Sequence, residues 1–330
     1  MSRLVIVRLA ALAMAVAAVA VRAAENAVAP GSVLVASCEG LSAWDRDGNR
    51  TFARFFVPAD GAKAAEVAWA DMIYDGCRLP SGNYLCAAHE WVREITPDGE
   101  IVWEYRVRKP VELKTCVPLP NGDVMTVDAE RMELIQLTDR GRRIARRISV
   151  PTNPKASIHT RYNLLRRTPA GTFLLALRAE RAFVEIDETG RELWRHAVAG
   201  LPAVAERLAS GTTLMSWRGA GESRGGLVEV SAGGEIVWQL AAEEVPGFGG
   251  WFGGFHRFEN GNTLIANSDW HYHTPEETAV QLVEVTRDKR VVWQLGVDKF
   301  AGTKPGSLEP KSGNVEQRII GIQWLGEIPR

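Results

Sequence analysis

Apolar and polar positions alternate around tight polar turns along most of this chain. The pattern is clearest in VREITPDGEIVWEY (92–105), where an apolar strand enters a Gly-containing turn and returns as a second strand ending in Trp. Versions recur as FVEIDETGRELWRH (183–196), LVEVSAGGEIVWQL (227–240) and LVEVTRDKRVVWQL (282–295). Weaker ones are LIQLTDRGRRIARR (134–147) and LSAWDRDGNRTFAR (41–54). Period-2 alternation about such a turn predicts a β-hairpin. A second hairpin signature precedes most copies: RLPSGNYLCAA (78–88), PLPNGDVMTVD (118–128), RTPAGTFLLAL (167–177), RLASGTTLMSW (207–217) and RFENGNTLIAN (257–267). Two hairpins per unit give four antiparallel strands, and repetition at roughly 40–55 residues is the spacing of propeller blades.

The first unit lacks its innermost strand, while RIIGIQWLGE (318–327) is an apolar strand with no partner of its own. The economical arrangement is an all-β, six-bladed β-propeller whose first blade is closed by the C-terminal strand. Closure removes the edges that an open sheet would expose. Expected blades are 31–57 plus 318–327, 72–108, 113–150, 160–198, 203–242 and 253–297. With strands A to D running outward, the A–B and C–D turns share one face and are short. The B–C loops and D–A connections share the other face and are long and varied. Any site is therefore expected on that second face, around the mouth of the axial channel. The repeated Trp103, Trp194, Trp238 and Trp293 are expected to pack between blades. Arg78, Arg167, Arg207 and Arg257, just before A–B turns, read as packing around those turns, with an anion ring as the alternative.

Composition adjusts this picture in a few places. With 46% hydrophobic and 24% charged residues in 330, the chain reads as globular. Arg3 and Arg8 precede an Ala/Val-rich apolar run that ends at Val21-Arg22-Ala23, which predicts a signal peptide over 1–23. A single propeller domain over 24–330, exported to the periplasm or secreted and monomeric, is expected. No other stretch could span a membrane. Cleavage would take the basic count from 39 to 36 against 40 acidic residues. Residues 131–195 nonetheless hold 14 Lys/Arg against 7 Asp/Glu, either a solvated outer edge or a patch for a polyanion. Nothing suggests nucleic acid as a partner. Four cysteines in an exported chain could pair. Cys77–Cys86 across one hairpin and Cys77–Cys116 between blades are rival bridges among three connectivities.

Candidate chemistry follows from the loop face. His89, His159, His256, His271 and His273 are all assigned there. A channel-mouth site would use His256 or His159 as nucleophile or general base with Arg161 as an anion clamp. Ligand contacts would come from His89, Asp128, Arg178, Arg218, Trp251, Asp269, Trp270, His271 and His273. The Asp269-Trp270-His271-Tyr272-His273 run could ligate a metal or stack on a sugar, but no metal site is assigned to it. No P-loop, GxSxG or dinucleotide fingerprint occurs in a fitting context.

The LPNG- and ENGNTLI-type hairpins followed by VEV-x-x-(D/G)-(G/K)-x-x-VW resemble those of exported bacterial propellers of the quinoprotein-like (PQQ-like repeat) and arylsulfotransferase-like superfamily. Residues 185–194 also resemble the Trp-docking repeat of quinoprotein dehydrogenases. Those dehydrogenases have eight blades and commonly a vicinal disulfide, so no quinone or other cofactor is expected for six blades without adjacent cysteines. Arylsulfotransferases of the superfamily use a His nucleophile with further His and Arg contacts. The leading expectation is a propeller that binds an anionic or carbohydrate-like ligand, or a protein partner, through its long-loop face. The alternative is a transferase or hydrolase with a His-based site at the channel mouth, so whether the chain is an enzyme stays open.

Overall fold

The computed structural model of the protein describes residues 30–38, 40–55, 69–150, 152–219, 225–248, 252–268, 280–296 and 319–326. Residues 1–23, expected to be a signal peptide, and Trp251, Asp269, Trp270, His271 and His273 lie outside the described residues. The rest forms six four-stranded antiparallel sheets arranged as a β-propeller. Blade 2 is Ile73–Arg78, Tyr84–Ala88, Trp91–Ile95 and Ile101–Arg106. Blade 3 is Val117–Pro118, Val124–Asp128, Glu133–Thr138 and Arg143–Ser149. Blade 4 is Tyr162–Arg167, Phe173–Leu177, Ala182–Ile186 and Glu192–Ala197. Blade 5 is Leu201–Arg207, Thr213–Arg218, Gly226–Val230 and Ile236–Ala241. Blade 6 is Phe252–Arg257, Thr263–Asn267, Val280–Val285 and Val291–Gly296. Blade 1 takes its strands B to D from Ser32–Ser37, Gly40–Asp45 and Arg50–Phe55 and its strand A from Ile319–Gly326.

Burial explains the composition of each strand. Strand B of blades 2 to 4 is buried at every position and apolar almost throughout, because it has a sheet on both faces. Strand D of blade 4 alternates exposed and half-buried residues, and it carries the charge. The apolar clusters lie between neighbouring sheets: Leu34 and Leu41 of blade 1 pack with Ile73, Tyr84 and Trp91 of blade 2.

The A–B turns share one geometry. In blade 2 the Leu79 N–H donates to Asn83 O and the Gly82 N–H to Leu79 O, enclosing three residues, with Gly82 at φ +89°. That loop is one residue longer than a two-residue hairpin turn. The register therefore pairs Gly76 with Cys86 and Cys77 with Leu85, so Cys77 and Cys86 do not face each other. None of the four cysteines is joined in a disulfide.

The repeat residues join the blades. Trp238 donates Nε1–H to Arg287 O and Trp293 to Arg46 O, each on the following blade (both 2.8 Å). The third residue of the hairpin repeat supplies a matching carboxylate. Glu229 is buried and accepts from Arg257 (3.1 Å) and Arg287 of the next blade, and Glu284 pairs with Arg46 (2.7 Å). Arg207 likewise reaches back to Glu185. The Arg positions before the A–B turns in blades 5 and 6 are thus links between blades.

Candidate functional site

The mouth of the channel is shaped by an irregular connection between blades 2 and 3. Strand A of blade 3 is cut to Val117–Pro118, while residues 111–116 fold inward and are buried. Lys114 marks the break: its φ of +62° is left-handed, outside the extended range that a regular strand requires. For a non-glycine residue that conformation costs on the order of 1 kcal/mol. Three backbone bonds hold it. Leu113 N–H donates to His89 O (2.9 Å), Lys114 N–H to Ala88 O (3.0 Å), and Ala129 N–H to Glu112 O (3.0 Å). The outcome is a carboxylate and an ammonium placed inside an apolar segment.

Four side chains meet there. Glu112 Oε2 accepts from Lys114 Nζ (2.7 Å) and from His159 Nδ1–H (3.0 Å), and it lies 3.7 Å from His89 Nδ1. Lys114 Nζ also donates to His159 O (2.6 Å). The two imidazoles stack, with centroids 5.4 Å apart, and Tyr74 meets His89 edge-on at 4.5 Å. Burial alone would raise the Glu112 pKa, but the His159 and Lys114 bonds outweigh it and hold the carboxyl at about 2. Burial pushes Lys114 down to about 8 against the pull of Glu112. It pushes His89 down to about 3, with Lys114 acting in the same sense. His159 is also lowered by burial, with the Glu112 bond opposing. The neutral His159 ring that donates from Nδ1 carries its lone pair on Nε2.

His159 also lines a cavity of about 240 Å³ at the axis, with Tyr74, Asn163, Arg178, Arg218 and Phe252. Arg178 is buried and makes no side-chain hydrogen bond or ion pair among the described residues. Burial lowers its pKa, and burial with the neighbouring Arg178 charge pushes Arg218 down to about 9. The structure thus brings together His89, His159, Arg178 and Arg218 from the expected set.

The others lie elsewhere. Arg161 donates to the carbonyls of Ala129 (3.0 Å), Glu130 (2.9 Å) and Pro154 (2.8 Å), which ties two loops together. Asp128 caps its own turn through Arg131 N–H (3.0 Å) and the Arg131 guanidinium (2.9 Å). His256 is a correction to the loop-face assignment. It is the penultimate residue of Phe252–Arg257, paired with Leu264 next to the A–B turn, so it belongs to the short-turn half of the channel. There it lines a separate cavity of about 350 Å³ with Asp75, Cys77, Cys116, Arg166 and Glu206.

His256 has a testable consequence. Burial and the Arg46 guanidinium push its pKa down to about 4, with Phe258 edge-on and Trp324 stacked against the ring. The unfolded chain then binds the extra proton, so stability is lost as pH falls from about 6.5 to about 4. At about 1.4 kcal/mol per unit, the loss is roughly 2–3 kcal/mol at pH 4.5. Urea denaturation at pH 7 and 4.5 should show wild type losing that much more than His256→Phe. Equal losses would overturn the assignment.

Sequence reasoning missed Glu112 and Lys114. The available signal was two opposite charges in VELKTCV, a stretch otherwise suited to a buried strand.

No protein-family model matches the chain, and no curated protein matches it in sequence. Solved structures do resemble it. A Bacteroides caccae protein of unknown function superposes with a TM-score of 0.69 at 19% identity, covering 89% of this chain and 98% of that one. Virginiamycin B lyase from Staphylococcus aureus superposes at 0.52 and 14%, covering 81% of each. The extracellular domain of a hybrid two-component system from B. thetaiotaomicron gives 0.52 and 9%, covering 81% of this chain and 33% of that one. At these identities the likeness shows the propeller fold alone.

Proposed function

We propose that the protein is an exported propeller, related to the quinoprotein-like and arylsulfotransferase-like group, that binds a small anionic ligand in the mouth cavity. The ligand class includes acidic sugars and sulfated or phosphorylated molecules. One observation carries this reading. Arg178 brings a buried positive charge to the cavity wall with no carboxylate bonded to it among the described residues. Burying an unpaired cation is costly, and an anionic ligand that supplies the missing partner recovers that cost. Arg218 adds a second guanidinium, and Tyr74 and Phe252 offer ring surface for the ligand body. Export agrees with the 1–23 segment. No helix among the described residues is long and apolar enough to cross a membrane.

The test is a thermal-shift and calorimetric panel of sulfate, phosphate, glucuronate and 4-nitrophenyl sulfate on the mature chain. Arg178→Met should weaken the best anion roughly 10- to 100-fold, the value of a charge-assisted hydrogen bond. Binding unchanged in Arg178→Met would remove the cavity from the reading, and no binding by any anion would remove the reading itself.

A second reading, a transferase or hydrolase, is favoured by the Glu112–His159 bond, which orients an imidazole at the cavity wall as a base or nucleophile requires. It predicts release of nitrophenol from 4-nitrophenyl sulfate or phosphate that His159→Ala abolishes and Arg178→Met slows.

A further inference from the structure

We infer that His89, Glu112 and His159 form a binding site for one divalent first-row transition ion at the channel mouth. One donor atom from each lies within 4.8 Å of the other two. Tetrahedral coordination with metal–ligand bonds of about 2.0–2.1 Å sets donor atoms roughly 3.3–3.4 Å apart. The two measured separations here, 3.0 Å from His159 Nδ1 to Glu112 Oε2 and 3.7 Å from His89 Nδ1 to the same oxygen, bracket that value. Coordination uses the lone pair of His159 Nδ1, so the proton that this atom donates to Glu112 in the metal-free site moves to Nε2, and small side-chain rotations close the geometry.

The three donors are also prearranged. They come from three separate segments, and the main chain of each is pinned: His89 O accepts from Leu113, Glu112 O from Ala129, and His159 O from Lys114 Nζ. Tyr74 fixes the His89 ring from its edge. Two imidazoles and one carboxylate are the donor set of three-ligand sites that keep a further position open, and they select zinc, cobalt(II) or iron(II) over calcium or magnesium. His159 lines the cavity, so the open position faces the ligand-binding space.

Lys114 does not block the site. Its ammonium occupies one lone pair of Glu112 Oε2, and a carboxylate offers about four such positions over two oxygens. With a metal bound, Lys114 becomes the partner that orients the ligating carboxylate. The positive charge beside the ion lowers its affinity without occupying the position the metal would take.

This inference is independent of anion binding and is tested with the metals alone. Mature protein stripped with chelator should take up one equivalent of Co²⁺, giving the intense visible bands of a four-coordinate ion, and Zn²⁺ should displace it. His159→Gln and Glu112→Gln should each weaken Zn²⁺ at least tenfold in a chelator-competition assay. Because Glu112→Gln leaves Lys114 buried beside a neutral amide and could unfold the chain, circular dichroism is read alongside. The half-exposed His159→Gln decides the matter if Glu112→Gln fails to fold. A His196→Ala variant, altered on the outer strand of blade 4, should bind as wild type. No uptake at pH 7–8, binding indifferent to His159→Gln, or binding lost in His196→Ala would overturn the site.

Discussion

Replacing Asp75 by alanine is expected to cost roughly 3–5 kcal/mol, the penalty for leaving a buried charge without its partner. Asp75 is 2% exposed and sits where three innermost strands meet. Arg166 of blade 4 donates to both its oxygens, at 2.8 and 3.0 Å. Thr115 Oγ1–H (2.8 Å) and Cys116 N–H (3.3 Å) donate from the edge of blade 3, and Thr115 Oγ1 accepts in turn from Leu165 N–H (3.1 Å). One carboxylate therefore fixes the relative positions of blades 2, 3 and 4 at the axis. Glu206 modifies the outcome. Burial pushes its pKa up to about 6, with Arg166 opposing and Asp75 adding to the rise. Without Asp75, the Arg166 guanidinium can turn to Glu206, which offsets part of the loss. Asp75→Ala should therefore fall near the lower end of the range, and Asp75→Ala/Glu206→Gln near the upper end. Urea denaturation at pH 7 reads both. A loss under 1 kcal/mol for the single variant, or no further loss in the double, would show that the pair does not hold the blades together.

That hub shows where sequence reading stops. The ring, its closure and its two faces are legible because they repeat: each hairpin carries the same alternation and the same glycine turn. Asp75 and Arg166 are separated by 91 residues and meet only because the ring brings strand A of blades 2 and 4 to one axis. Neither residue belongs to a recurring position that marks it. The mouth cluster is hidden for a different reason. Glu112 and Lys114 become buried through a left-handed backbone at a lysine, a conformation that glycine or asparagine would have advertised. His256 belongs to the half of the channel opposite the expected one because the strand begins at Phe252 and ends beside its turn, so four residues of rise separate it from the loop face. Arg178 and Arg218 are legible because the first directly follows strand B of its blade and the second ends it, where the alternating pattern itself marks the strand end.

Removing the C-terminal strand should have the larger effect: a chain ending before Ile319 is expected not to fold cooperatively. Ile319–Gly326 pairs antiparallel with Ser32–Ser37, Gly326 opposite Ser32, and supplies strand A of blade 1. It buries Ile319, Ile320 and Ile322 at 0, 5 and 7% exposure. At about 1.5–3 kcal/mol for each buried side chain, these three alone contribute roughly 5–9 kcal/mol, which matches the whole stability of a typical domain. The neighbours are also fitted to its backbone. A Cβ on Gly254 would stand 2.7 Å from Ile322 N, and one on Gly321 would stand 3.0 Å from Asp75 Oδ1. Without the strand, blades 6, 1 and 2 each lose a packing face, and the first blade exposes an unpaired edge that favours aggregation. The register offers the control. Because Gly326 lies beside the start of Ser32–Ser37, moving 319–326 ahead of residue 31 through a short glycine turn recreates an ordinary A–B hairpin. The truncated chain should elute as aggregate and unfold without a transition. The permuted chain should be monomeric and melt within a few degrees of wild type. If truncation leaves a cooperative transition, the ring does not depend on this strand; if the permutant also aggregates, the loss has a cause other than the missing closure.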